Sequence, residues 1–418
     1  MKCIGRVDLQ TPRMPAPNAS PLGPTREGER IVLLDALRGF ALFGVLLVNL
    51  RDLTLFGFLT ENARGALGTA GWDHALDLAM AALVDVKAFT IFTLLFGIGF
   101  ALQAERAGAV GEGLGRYGRR LFILFVIGFL HAYLLWWGDI LRFYAILGLV
   151  LLPLARRRAR SLALIGIVIA VFVTPFLRPA MNALLPAIVP SPDAAAAALG
   201  AFQGGSLTEM LRANFAYDRW TRISAWGLPF YVLGRLLIGA AIGRSGALRD
   251  PKGHRRFWVR LLGWLLPLGM ALTAFIMLRD HGAFGPLQGW WRTETARALV
   301  RIARSGASLA LGLAYVALFV LLFQRPGWRH WLQGLAPIGR MALTNYILQT
   351  VIALILFYGV GFGLGPRFGL VGVLAATVVI FSLQLLASRW WLERFHFGPL
   401  EWIWRTLTYG PRPRLRRI

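Results

Sequence analysis

Apolar residues fall in ten long runs along the chain, at about 31 to 50, 87 to 104, 120 to 137, 139 to 155, 160 to 178, 226 to 243, 257 to 278, 303 to 323, 341 to 361 and 369 to 387. A helix that crosses a bilayer needs about 20 mostly apolar residues, because the hydrocarbon layer is about 30 Å thick and each residue rises about 1.5 Å. The runs therefore predict an all-α, polytopic integral membrane bundle of about ten transmembrane helices. Residues 1 to 30 are polar and Pro-rich, and no small-residue cleavage site accompanies the first run, so that run reads as an anchor rather than a removable signal.

The polar gaps between the runs differ in charge. One alternating set holds Arg106, Arg116, Arg119 and Arg120, then Arg156, Arg157, Arg158 and Arg160, then Arg244, Arg249, Lys252, Arg255 and Arg256, then Arg325 and Arg329, and a tail with Arg412, Arg414, Arg416 and Arg417. The other set is much poorer, with Arg51 and Arg64 in one gap and none in the turn from Trp136 to Gly138. Positive residues collect on the cytoplasmic side, so both termini are expected in the cytoplasm.

Five segments follow: a polar extension at 1–30, an N-terminal membrane half at 31–178, an extracytoplasmic connection at 179–225, a C-terminal membrane half at 226–390 and a basic amphipathic tail at 391–418. The connection carries Ser206 with Glu209 three residues on, a capping pattern that opens a helix bearing Asn214, Tyr217, Trp220 and Trp226. Segment 73 to 86, with Asp73, Asp77 and Asp85 among Leu and Ala, reads as an interfacial lead-in to the second span.

Composition supports the same class: 57% of the 418 residues are hydrophobic and mean hydropathy is +0.59. A net charge of +25 would point to nucleic acid in a soluble chain, but the loop bias accounts for it and nucleic acid is not expected as a partner. The one cysteine, Cys3, excludes disulfides and multi-cysteine metal sites. The six His are scattered without HExxH spacing, the glycines around 111 to 115 follow no strand, and no G-x-S-x-G elbow is present. Neither a metal nor a tightly bound cofactor is expected.

Ionisable and amide groups within a bilayer are expensive, which makes each a candidate for function. The first span holds Asp35 and Arg38, three apart and able to pair across one turn, with Asn49 three turns farther along the same face. These three serve equally well as substrate contacts or as a structural pair turned into the bundle. The densest group is GFLHAYLLWWGDILRFYAILG at 128 to 148, where two spans meet at a short exterior turn. His131 lies about 9 Å below that turn at helical rise, and Asp139, Arg142 and Tyr144 follow on the returning helix of the hairpin. An imidazole oriented by a carboxylate suits general-base or nucleophilic work, whereas the bland reading is an interfacial His bonded to its neighbours. Lys87, in a chain that otherwise almost always uses Arg, opens the second span from the same side; it could join this cluster or snorkel to headgroups. Asn345, Tyr346 and Gln349 bring amides and a phenol to the ninth span, as substrate contacts or as helix glue.

The blocks LDALRGFALFGVLLVN (34 to 49), KAFTIFTLLFGIGFALQ (87 to 103), the hairpin from His131 to Gly148, PIGRMALTNYILQ (337 to 349) and FGPLEWIWRTLTYG (397 to 410) together resemble the YeiB-type family of bacterial inner-membrane proteins. That family's C-terminal half is a domain of unknown function. The first block is also similar to the first span of transmembrane acyltransferases, including heparan-alpha-glucosaminide N-acetyltransferase and the bacterial acyltransferase-three group. Where the latter has a His, this chain has Asn49, as the heparan enzyme does, which leaves His131 as the better candidate base.

This resemblance implies acyl transfer across the membrane, from cytoplasmic acyl-CoA to an extracytoplasmic hydroxyl or amine acceptor such as an envelope glycan. In that reading His131, Asp139, Arg142 and Lys87 carry the chemistry, and Asp35, Arg38, Asn49, Tyr144, Asn345 and Gln349 contact substrate. Arginines at a cytoplasmic mouth suit the phosphates of CoA, since guanidinium groups bind phosphate oxygens bidentately. Two rivals stand beside it: a transporter of a small anionic or amphipathic solute, and a scaffold for envelope partners. The lipid bilayer is the common partner in all three, and a homo-oligomer is compatible with each.

Overall fold

The pattern of ten apolar runs is realised as helices in a computed structural model that describes residues 31–109, 115–154, 157–184, 193–225, 227–285, 288–410 and 413–417. The extension at 1–30, Gly111, Gly113, Arg156, Trp226 and Arg412 lie outside the described residues. The labelled helices are α1 (Val32–Leu53), α2 (Ala70–Leu83), α3 (Lys87–Ala109), α4 (Gly115–Leu134), α5 (Leu141–Val150), α6 (Ala159–Ile167), α7 (Thr174–Leu184), α8 (Ala194–Gln203) and α9 (Leu207–Ser224). They continue with α10 (Leu228–Arg244), α11 (Arg255–Asp280), α12 (Glu294–Phe323), α13 (Pro326–Gln333), α14 (Ala336–Arg340), α15 (Ala342–Phe357), α16 (Leu370–Arg394) and α17 (Pro399–Tyr409). Pairing of extended backbone among the described residues is limited to an isolated bridge between Phe395 and Arg416.

Among the described residues, seven helical stretches are long and apolar enough to cross a membrane: Val32–Leu53, Ala70–Glu105, Gly115–Leu134, Ala159–Leu177, Arg255–Asp280, Glu294–Phe323 and Leu370–Arg394. The remaining three apolar runs fall on the shorter helices α5 (10 residues), α10 (17 residues) and α15 (16 residues). Of these, α10 is the most buried, while α5 exposes Ile146, Leu149 and Val150 and α15 exposes Leu348 and Ile355. In α10 the unbroken series Gly234 to Gly243 is buried, and its glycines let it lie directly on α3. A Cβ at Gly239 would run into the Leu94 carbonyl, and one at Gly97 into that of Leu236. Small residues at such crossings let backbones approach closely in an apolar solvent.

The 36-residue stretch from Ala70 to Glu105 bends between α2 and α3, where Val86 takes a left-handed conformation at φ 57°. The predicted lead-in is thus a helix, and its acids have tasks. Asp73 Oδ1 accepts the Val371 amide at the start of α16, 3.1 Å away, and Asp77 pairs with Arg51 at 3.0 Å. The expected opening of α9 is also present: Ser206 Oγ accepts the Glu209 amide at 3.3 Å.

The two ends of the bundle differ in character. One, the basic end, carries the N-termini of α1, α4 and α15 together with α17. The opposite, aromatic end carries the α4–α5 turn, α8 and α9, where Phe58, Trp137, Phe202, Tyr217 and Trp220 form one ring cluster with centroids 4.6–6.1 Å apart.

Candidate functional site

The site is built on the α4–α5 hairpin. His131 sits in the last turn of α4, where its carbonyl accepts both the Leu135 and Trp136 amides, at 3.0 and 2.9 Å. The chain then doubles back so that Asp139, just before α5, faces the imidazole. His131 Nδ1 lies 3.0 Å from Asp139 Oδ2, and Asp139 Oδ1 accepts the Arg142 amide at 3.1 Å, closing the first turn of α5. On its other side His131 Nε2 is 3.0 Å from Thr350 Oγ1 of α15. With a carboxylate on Nδ1, the proton sits there, and Nε2 is left as the base that the Thr350 hydroxyl faces. His131 and Asp139 are 2% and 1% exposed, so this array is closed to solvent.

Helix α9 covers the hairpin from the aromatic end. Arg142 makes a bidentate pair with Asp218, at 3.2 and 2.7 Å, in addition to its 3.4 Å approach to Asp139. Arg222 donates to Asp218 at 3.0 Å and to the carbonyls of Trp137 and Asp139 at 2.9 and 3.0 Å. Burial pulls the Arg222 guanidinium below its ordinary value, Asp218 pulls it back up, and Arg142 adds a smaller downward push. Asn214 accepts the Trp137 amide at 2.6 Å and donates to the Ala132 and Tyr133 carbonyls at 2.6 and 3.3 Å. The hairpin turn therefore satisfies its backbone groups with side chains from one helix face.

A cavity of about 330 Å³ runs from the basic end toward this array and stops short of it at Tyr144 and Tyr346. Its rim carries Arg38, Arg116, Arg120, Arg340 and Arg405 with Glu401, and its inner wall carries Phe92, Leu95, Phe96, Leu124, Leu141, Tyr144 and Tyr346. Along α3 the lining extends from Gln103 to Phe92, about 16 Å at helical rise. Tyr144 stacks on Phe96 with centroids 4.9 Å apart and meets Thr93 Oγ1 at 3.0 Å. Tyr346 stands between the cavity and His131, its ring centroid 5.1 Å from the imidazole.

Helix α17 forms part of the rim. The Glu401 carboxylate accepts the Leu343 and Thr344 amides at 2.7 and 3.0 Å and the Thr344 hydroxyl at 2.5 Å. It thereby caps the N-terminus of α15, where amides lack helical partners. Burial raises the Glu401 carboxyl above its usual value, and these hydrogen bonds offset part of the rise. Trp404 Nε1 donates to the Arg120 carbonyl at 2.9 Å while the Arg120 guanidinium lies 4.0 Å over its ring.

Of the residues the sequence singled out, the structure joins His131, Asp139 and Arg142 and sets Arg38 and Tyr144 on the cavity wall. Arg38 also pairs with Asp35 at 2.9 Å. No hydrogen bond or ion pair joins Lys87 to the His131 cluster; its Nζ donates to the Ala81 carbonyl at 2.6 Å. Asn345 and Gln349 connect α15 to α16 through Ser388 and Gln384, each at 2.9 Å, and with Asn49 they are absent from the cavity wall.

Four residues escaped sequence reasoning. Asp218 and Arg222 continue the four-residue spacing begun at Asn214, a signal on one face of α9. Thr350 follows Tyr346 by one turn. The fourth is Arg235, fully buried in α10 and held by Thr90 and Ser308, each at 2.9 Å, and by the Tyr231 carbonyl at 3.2 Å.

Residues 242–411 match the family model described as Protein of unknown function (DUF418). Over 411 residues the chain is 30% identical to the uncharacterized protein YxaH of Bacillus subtilis (strain 168), covering 93% of this chain and 97% of that one. An uncharacterized 39.9 kDa protein in the amylase 3' region of Bacillus acidopullulyticus is 31% identical over 392 residues, covering 93% and 96%. The uncharacterized protein YeiB of Escherichia coli (strain K12) is 30% identical over 394 residues, covering 91% and 96%. No solved structure matches the chain significantly. Identity of 30% over more than nine-tenths of both chains makes the protein a member of the YeiB-type family.

Proposed function

We propose that the protein is a membrane-embedded acyltransferase that takes an acyl group from cytoplasmic acyl-CoA and delivers it to a hydroxyl or amine acceptor on the far side of the inner membrane. In this reading the chain crosses ten times with both termini and the basic end in the cytoplasm. The observation that carries it is the cavity: five arginines and one glutamate at the rim, ring and aliphatic carbon within, and His131 one side chain beyond its end. Guanidinium groups fit the phosphates of a nucleotide carrier, and the apolar interior fits a thioester arm. His131 is the base, oriented by Asp139, while Arg142 and Asp218 hold the hairpin in place from the aromatic end. Arg142 thus acts as a positioning residue, because its guanidinium is shared between two carboxylates.

The test is direct. Purified protein is titrated with acetyl-CoA and then assayed for CoA release, with His131→Ala as the control. The reading expects binding by the wild type, and turnover that the variant lacks. Wild-type protein that neither binds nor consumes acyl-CoA, acetyl or longer, would sink it.

A transporter of an amphipathic anion is the second reading, favoured by one feature: the cavity stops at Tyr144 and Tyr346, and an ion network closes the other side. Uptake by proteoliposomes of a solute that competes with CoA for the cavity would support it.

A further inference from the structure

We infer that Thr350 is a covalent way-station: its hydroxyl accepts the acyl group first and passes it to the acceptor in a second step. The inference rests on the acyltransferase reading above and adds a nucleophile to it.

Asp139, His131 and Thr350 are joined in series at 3.0 and 3.0 Å. A hydroxyl on the free nitrogen of an imidazole whose other nitrogen is held by a carboxylate is the arrangement that activates an alcohol for attack. Thr350 lies 219 residues from His131, so local sequence geometry does not impose its alignment with the hairpin pair. Threonines in helices ordinarily return their hydroxyl hydrogen to the carbonyl one turn back. Thr93, Thr377 and Thr408 do so, to Phe89, Val373 and Trp404 at 2.9, 2.7 and 2.7 Å. Thr350 instead turns its hydroxyl to the base.

A second observation concerns the neighbouring turn. Tyr346, four residues before Thr350 on the same face of α15, has a buried hydroxyl whose oxygen lies near the Ile140 amide and whose hydrogen finds no acceptor among the described residues. A buried O–H without an acceptor costs about 1–3 kcal/mol. Next to a nucleophile it is a donor placed where a carbonyl oxygen becomes negative. Tyr346 also ends the cavity, so a thioester reaching the end of that cavity meets the phenol and, one turn on, the hydroxyl.

In the first step Thr350 Oγ1 attacks the thioester carbonyl as His131 Nε2 takes its proton. The C–O bond forms, the C–S bond breaks, and Nε2 gives the proton to the departing sulfur. In the second step Nε2 takes a proton from the acceptor hydroxyl or amine, which attacks the threonyl ester. The new C–O or C–N bond forms, the bond to Thr350 Oγ1 breaks, and the proton returns to that oxygen.

The probe is labelled acetyl-CoA given to the purified full-length protein without acceptor. Acetyl label on the peptide carrying Thr350 is expected, with exchange of free labelled CoA into acetyl-CoA. Thr350→Val, which keeps the shape, should abolish both and slow transfer by more than about a hundredfold, while Thr350→Ser keeps label and exchange. Label on another residue, or acceptor-dependent transfer by wild type with no CoA exchange, would overturn the inference and leave the acyltransferase reading standing. Thr350→Val that transfers at the wild-type rate would do the same. Should the valine variant fail to fold, the exchange measurement on wild type decides alone. A wild type that neither binds nor consumes acetyl-CoA or a longer acyl-CoA ends both proposals.

Discussion

Gly128 and Asp139 meet across the α4–α5 hairpin with no room for a side chain between them. A Cβ built on Gly128 would stand 3.1 Å from Asp139 Oδ1 and 2.7 Å from the Arg142 amide nitrogen. The missing carbon is what allows Asp139 to reach His131. Gly128→Ala should therefore push α5 off α4, lowering stability by about 1–3 kcal/mol and breaking the carboxylate–imidazole contact. Thermal unfolding in detergent tests this; a melting curve superimposable on wild type would show that the hairpin yields freely.

Asn214 holds the hairpin turn from outside with one accepted and two donated hydrogen bonds. Asn214→Ala leaves the Trp137 amide unpaired, at a cost of about 1–3 kcal/mol. Hydrogen exchange at residues 135–139 should rise strongly, and Asn214→Asp, which keeps the acceptor, should restore protection at Trp137 only. Unchanged exchange in the alanine variant would mean that Arg222 suffices as the lock.

How much of this was legible beforehand depends on the separation of partners along the chain. The pairing of Asp35 with Arg38, and the meeting of His131 with Asp139, follow from helical spacing and a short turn, so sequence reading reaches them. The Arg142–Asp218 pair spans 76 residues and needs the packing of α9, which no pattern within the hairpin encodes. For Lys87 the sequence left open a place beside His131 or at the headgroups, and the bend at Val86 brings the Ala81 carbonyl close enough to engage its ammonium group. Arg235 was passed over because one charge hardly disturbs a run as apolar as 226 to 243.

Glu401 gives α17 a pH dependence whose sign is fixed. Burial lifts its carboxyl above the value of the unfolded chain, so the folded state binds the proton more tightly. That contribution to docking is complete below the ordinary glutamate range and is lost as pH rises through the raised value. Protection of α17 from hydrogen exchange should fall over that interval, and Glu401→Gln should flatten the profile. A wild-type profile that rises with pH would refute the assignment.

Arg120 lies over Trp404 at the rim, which fixes its guanidinium plane. Arg120→Lys preserves charge and loses the planar fork, so acetyl-CoA affinity should drop about tenfold, for one charged hydrogen bond worth about 1.5 kcal/mol. Calorimetric titration measures it. Equal affinities in the two proteins would place the phosphates elsewhere.

The arginines stop at the rim, and the inner wall of the cavity is ring and aliphatic carbon. A phosphorylated carrier seated there keeps its negative groups at the water interface, where solvating them is cheap, and sends only a neutral carbonyl toward the far leaflet. Delivery of this kind moves no net charge through the electric field across the bilayer. Vesicles clamped at opposite potentials should then acylate at equal speed, and a cell could decorate its outer surface without exporting a nucleotide.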